Sequence, residues 1–210
     1  MRREEFCQRI TAALTEERIR SQVFPDYFRG AVLVPVIYRN GELAVVFEVR
    51  SRNLVWQPGE ICFPGGRLEE RDESPEAAAI RETGEELGID KNHIQMLGAM
   101  DPILSPLGLI LYPSVGYLRE WVQFHPNPEE VAEIFMVPLK YLLSAVPQVG
   151  HMEMGTRPMA DFPAHLLEDY PADWKKRKTY RVLFYQYREY VIWGLTAQVL
   201  HQFLTVCKEL

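Results

Sequence analysis

The chain has 210 residues, 47% hydrophobic and 25% charged, a balance that supports a single domain with one substantial core and excludes extended disorder. A formal charge of −6 argues against general nucleic-acid binding, which needs clustered Lys and Arg. A polyanionic substrate would therefore have to be met by a local cationic device, such as a metal ion held by some of the surplus carboxylates.

Residues 3–20 carry apolar side chains at Phe6, Ile10, Ala13, Leu14 and Ile19, a spacing that predicts an amphipathic N-terminal helix. The same stretch mixes acidic with basic residues and has no long apolar run, so it does not read as a signal or transit peptide. No segment reaches the roughly eighteen apolar residues of a membrane span, and the expected location is cytoplasmic with no membrane partner. Cys7, Cys62 and Cys207 are odd in number and lack a CxxC pair. They read as buried thiols in a reducing compartment.

Residues 31–38 and 43–50 are rich in β-branched side chains, and Asn40-Gly41 stands between them, which predicts a β-hairpin. The following stretch, 51–73, is polar and holds Pro58-Gly59 and Pro64-Gly65-Gly66. It is expected to be a long loop interrupted by a short strand at 61–63, and long ordered loops in compact domains usually carry function. Ser74 then supplies an N-cap, Pro75 the first helical position and Gly88 the stop. Beyond this helix, 93–100, 110–118 and 179–187 are strand-like, 137–143 and 192–207 helical, and 150–178 the least regular part, a candidate substrate-side flap. Without regular βαβ alternation, the pattern favours an α+β fold or an α/β/α sandwich over a doubly wound parallel sheet.

At about 100° per residue, Glu82, Glu85 and Glu86 of the predicted helix share an arc of roughly 100°, with Ala77, Ile80, Gly84 and Leu87 opposite. Like charges at i,i+3 and i,i+4 oppose the helix, and a hard divalent cation with oxygen ligands would offset that cost; the helix alone reads as well as a solvated acidic face, since surface helices are normally charged on one side. Arg81 is spaced to brace Glu85 as an i,i+4 partner, and the small Ala78 and Ala79 are expected to flank the acidic face and let a ligand approach.

Phe63-Pro64-Gly65-Gly66-Arg67, followed by Arg81-Glu82-Thr83-Gly84-Glu85-Glu86-Leu87-Gly88-Ile89, resembles the glycine-loop-helix box of the Nudix hydrolase family, with Thr83 in a slot usually hydrophobic. The loop is one residue longer than the usual one: Asp72 and Glu73 each meet one of the two distances expected of the loop acid. That extension resembles the coenzyme A pyrophosphatase branch. Further resemblance lies in Arg50-Ser51-x-x-Leu54, Gln57-Pro58-Gly59-Glu60-Ile61-Cys62-Phe63, Leu104-Ser105-Pro106, Asn127-Pro128-x-Glu130-Val131 and Ile192-Trp193-Gly194-Leu195-Thr196-Ala197.

The resemblance implies a Nudix-type α/β/α sandwich with a mixed β-sheet, residues 31–210 forming the hydrolase domain and 1–30 a helical extension of it. It implies Mg²⁺ or Mn²⁺ held by Glu82, Glu85 and Glu86, and catalytic roles for Glu82, Glu86, Arg81 and, by analogy, Glu130. Gly65 and Gly66, with Arg50, Arg52 and Arg67 nearby, would bind substrate phosphates. The expected substrate is coenzyme A or an acyl ester, cut to 3',5'-ADP and 4'-phosphopantetheine. Alternatives are an oxidised nucleotide, ADP-ribose, NADH or a nucleotide sugar, and a non-catalytic nucleotide-binding module. The expected partner is a small molecule, with no nucleic acid or membrane, and the assembly a monomer or homodimer. Lys175-Lys176-Arg177-Lys178 reads as a solvated loop run, and Trp56, Phe63, Tyr112 and Trp193 read as core aromatics.

Overall fold

In the computed structural model, residues 27–106, 108–119 and 121–209 are described; the predicted helix at 3–20 and Cys7 lie outside them. The hairpin forms as expected. β1 (Phe28–Arg39) and β2 (Glu42–Arg50) pair antiparallel, and both turn residues, Asn40 at φ 55 and Gly41 at φ 85, are left-handed. This is the primed turn whose twist matches that of the flanking strands.

β1 also pairs in parallel with β7 (Leu109–Leu118), from Phe28↔Leu109 to Ile37↔Leu118. Around these lie β3 (Ile61–Cys62), β4 (Gly65–Arg67), β5 (Ile94–Ala99), β6 (Ile103–Ser105) and β8 (Val131–Pro138). The result is one mixed eight-stranded sheet with the path β3-β2-β1-β7-β5, onto which β4 adds at β1, β6 at β7 and β8 at β2.

Alternating side chains divide the core between the two faces of the sheet. Ala31, Leu33, Ile37, Ala44 and Val46 pack with Ala78, Ala79 and Leu87 of helix α1 (Pro75–Leu87). Val34, Val36, Val45 and Phe47 pack on the other side with helices α2 (Leu139–Ser144) and α3 (Gly194–Lys208). Phe47 is fully buried and stacks between Phe63 and Phe135 at 4.7 and 5.5 Å, so truncating it to Ala would cost about 3–5 kcal/mol. Helices on both faces of a mixed sheet make the α/β/α sandwich. Among the described residues no helix is long and apolar enough to cross a membrane.

Two expectations change. Residues 131–138 form β8, because its alternating residues Val131, Phe135 and Val137 are buried along β2; the helix starts only at Leu139. The stretch expected to be irregular contains β9 (Gln148–Thr156), paired with β10 (Lys175–Tyr187), and β11 (Tyr190–Trp193) completes a separate three-stranded antiparallel sheet. The basic run at 175–178 is therefore the exposed start of a strand: Lys176 pairs with Glu153 and Arg177 donates to Thr156 Oγ1 at 2.7 Å.

Candidate active site

Helix α1 has the caps its sequence specifies. Ser74 Oγ accepts the Ala77 N–H at 3.2 Å, Pro75 opens the helix, and Gly88 closes it at φ 62. A Cβ on Gly88 would lie 1.8 Å from the His125 carbonyl oxygen, so glycine also permits the helix end to dock against that backbone.

The helix is rotated relative to the simple two-faced picture. Its buried residues are Ala78, Ala79, Thr83, Glu86 and Leu87, so the two alanines lie in the core and do not flank a ligand. Thr83 is fully buried because its hydroxyl donates to the Ala79 carbonyl at 2.6 Å, which lets a polar residue fill an apolar slot. Glu86 points inward, 7% exposed, while Glu85 faces solvent and Glu82 is half-buried.

The glycine loop and the helix interlock at two points. Glu86 Oε2 accepts the Gly65 N–H at 2.7 Å, and an added Cβ on Gly66 would lie 2.4 Å from the Glu82 carboxylate. Gly65 itself runs against β1, where a Cβ would meet the Ala31 carbonyl oxygen at 2.2 Å. Both glycines are required by close approach.

Arg81 binds the acids from outside. Its Nε and Nη2 fork onto Asp72 at 3.0 and 2.9 Å, and its Nη1 reaches Glu82 at 2.9 Å and Glu85 at 3.3 Å. The fork holds the Asp72 carboxyl down to about 2, and Asp72, not Glu73, is the loop acid that meets the arginine. The predicted brace on Glu85 is present as one of several contacts.

The inner carboxylates carry the opposite perturbation. Burial, then repulsion from Glu48, pushes Glu86 well up, against the opposing Gly65 N–H. Burial likewise raises Glu48 and Glu82, with Arg81 opposing the shift at Glu82. Glu48, on β2, was not singled out from the sequence, although a Glu inside Val45-Val46-Phe47-Glu48-Val49 is an acid in a run that reads as buried strand. Like-charged, half-dry carboxylates concentrate negative potential at this end of the helix.

Residues 27–154, more than half of the chain, match the NUDIX domain family. The chain belongs to the NUDIX family. Its relatives include the mouse protein Peroxisomal coenzyme A diphosphatase NUDT7, 38% identical over 66% of this chain and 58% of the mouse protein, so the match spans less than two thirds of that relative. The Uncharacterized Nudix hydrolase NudL of Photorhabdus laumondii is 34% identical over 82% of this chain and 81% of its own length. Among solved structures, a Nudix hydrolase from M. Smegmatis, RenU, is 22% identical over 54% of this chain and 71% of its own, with a TM-score of 0.45.

In this NUDIX chain the remaining predicted residues divide. Glu130 lies on the Glu48 side: its carbonyl accepts the Ser51 N–H at 2.8 Å, its carboxylate takes Asn127 Nδ2 at 3.2 Å, and its charge is felt at Glu48. Arg50 is half-buried, donates to the Trp56 carbonyl at 3.4 Å and acts electrostatically on Glu48 and Glu86. Arg52 is exposed near Gly59, and Arg67 lies over the Phe28 ring at 5.1 Å, so neither is drawn into the acid cluster. Phe63 is core as expected and Tyr112 half-buried against the α1-side core. Trp56 is 79% exposed at the loop tip and Trp193 39% exposed, stacked on Phe184; a loop tip has no second layer to cover its side chain.

Cys62 and Cys207 are free and only half-buried. Among the described residues no three acidic, imidazole or thiol groups form a ready-made cation cluster: Arg81 engages Glu82 and Glu85, while Glu86 turns inward to the Gly65 N–H. A cavity of about 1120 Å³ opens between β5–β6 and α3, and no α1 residue lines it.

Proposed function

We propose that the chain is a divalent-cation-dependent pyrophosphohydrolase that cleaves the diphosphate of coenzyme A or its acyl esters to 3',5'-ADP and (acyl-)4'-phosphopantetheine. The observation that carries this reading is the interlock of loop and helix, in which Glu86 seats on the Gly65 N–H and Glu82 lies against Gly66. The donor set fits a hard divalent ion: all oxygen, like-charged, partly dry, with Glu82 and Glu85 held by the Arg81 guanidinium and Glu86 by the Gly65 N–H. Glu82, Glu85 and Glu86 would hold Mg²⁺ or Mn²⁺ once side-chain rotation released the first two from Arg81. Such an ion supplies charge neutralisation at the phosphate oxygens and a lowered pKa for bound water.

The chain's own residues do the rest. Glu82, half-buried beside the loop, accepts the proton of the attacking water, while one phosphate gains the hydroxyl and the other departs with the bridging oxygen. Arg81 fixes the acids before substrate arrives, and the Arg50 cation stands near the buried pair. The choice of coenzyme A rests on the Arg50-to-Gly66 motif and on the mouse relative whose name states that activity.

The test is incubation with Mg²⁺ or Mn²⁺ and coenzyme A, NADH, ADP-ribose or 8-oxo-dGTP, with products identified by mass. Cleavage of another compound while coenzyme A survives would overturn the substrate; no cleavage at all would favour a binding module. Glu86→Gln keeps an acceptor for Gly65 and is expected to fold, yet to lose roughly 10³-fold in kcat, the scale of one missing electrostatic contact to the transition state. Near-normal turnover would refute the assignment.

A further inference from the structure

Glu48 sits in the middle of β2, between Val46 and Arg50 on the sheet face that α1 covers. It is fully buried. Its backbone pairs with Cys62 of β3 and Ile134 of β8, so its side chain is flanked on both sides and cannot swing out to solvent. One carboxylate oxygen, Oε1, accepts the Cys62 Sγ–H at 3.1 Å. The other, Oε2, is buried and has no hydrogen-bond partner among the described residues.

That arrangement is unfavourable by itself in either protonation state. An ionised carboxylate has only a weak, neutral thiol donor to offset its lost hydration. A protonated one leaves its O–H without an acceptor, at a cost that native interiors avoid. Arg50, the cation that acts on Glu48, donates to the Trp56 carbonyl. Glu86 stands close enough for the two charges to interact, and its Oε2 is already taken by the Gly65 N–H. Two buried carboxylates thus each have one oxygen fixed by the protein and one left over.

We propose that Glu48 is a ligand of the cation bound by Glu86: its free Oε2 completes the oxygen shell from the sheet side, and Cys62 holds Oε1 to aim it. The inference rests on the divalent-cation reading above and adds to it a ligand that lies outside the glycine-loop-helix box. The site then spans two elements, β2 and α1, and binding of the cation ties the sheet to the helix.

The test measures Mn²⁺ affinity on the full chain by the electron paramagnetic resonance of free Mn²⁺, together with melting temperature with and without Mn²⁺. Glu48→Gln is expected to weaken Mn²⁺ binding at least about tenfold, the loss found even for groups one shell further out. The Mn²⁺-induced rise in melting temperature should shrink, while the metal-free melting temperature stays level or increases. A purely structural Glu48 would give the reverse: a lower metal-free melting temperature and unchanged affinity. Glu48→Asp, which keeps the charge but withdraws the oxygens by one carbon, serves if the Gln variant does not fold. Affinity within twofold of the parent in whichever variant folds overturns the inference. Glu86→Gln separates the two ideas: if it abolishes Mn²⁺ binding and the Glu48 variants do not, only this inference fails. If Glu86→Gln also binds Mn²⁺ normally, the cation reading fails with it.

Discussion

Replacing Gly66 by Ala probes the contact between loop and helix with the smallest possible change. The new Cβ would lie 2.4 Å from Cδ and Oε1 of Glu82 and 2.9 Å from Oε2, where ordinary contact is 3.4–4 Å. Because the obstacle is the end of a side chain, the backbone can stay and the carboxylate must retreat by about 1 Å. Glu82 is held by Arg81 at 2.9 Å, with both side chains under one fifth exposed. Leaving that position costs about 0.5–1.5 kcal/mol in rotamer strain and about 1.5 kcal/mol for a weakened charged hydrogen bond. We expect a stability loss of about 2–3 kcal/mol by urea denaturation and, from a displacement of about 1 Å, roughly a 10²-fold loss of kcat. Turnover within threefold of the parent, in a protein with a normal urea midpoint, would show that Glu82 and Gly66 are not held together as described. Gly65→Ala is the contrasting control, since its Cβ meets the β1 backbone at 2.2 Å and nothing there can swing aside.

The other expectations concern stability. Gly88→Ala combines a left-handed φ of 62 with a 1.8 Å clash against the His125 carbonyl, and the left-handed penalty alone is about 1–2 kcal/mol; a denaturant shift under 0.5 kcal/mol would contradict the docking of the α1 C-terminus. For the metal-free protein, Glu86, Glu48 and Glu82 titrate above their ordinary value of 4.5. Their contribution is therefore full below that value and lost as pH rises through the folded values. Melting temperature should fall from about pH 5 into the alkaline range, and saturating Mn²⁺ should flatten the fall; a metal-free curve that rises over this span would reverse the sign of the argument. Asp72 behaves oppositely: held down to about 2 by Arg81, it stabilises above its ordinary 3.8 and loses this as pH drops through 2. Asp72→Asn should therefore remove part of the acid-limb transition, whereas Glu73→Gln should leave it in place.

Local chemistry was legible wherever neighbouring residues decide it. Ser74, Pro75 and Gly88 delimit α1 because caps act within one turn, and Asn40-Gly41 sets the hairpin because φ above zero at both positions is a property of those two residues. The alternation of Val131, Phe135 and Val137 is the signal for β8, and it competes with the helical reading of 137–143, of which only the part from Leu139 is helix. No such signal exists for β9, whose residues are mostly exposed and which is a strand only because β10 lies beside it.

The sequence by itself determined that Glu82, Glu85 and Glu86 belong to one helix behind a glycine loop, since helical spacing is a fixed geometry. Only the tertiary structure decided that Glu86 faces inward to Gly65, that Arg81 also takes Asp72 and Glu82, and that buried Glu48 of β2 stands close enough to act on Glu86. Those relations depend on how the helix is rotated against the sheet. That rotation is set by which side chains, here Ala78, Ala79 and Leu87, pack into the core shared with β1, and no periodicity along a single element contains it.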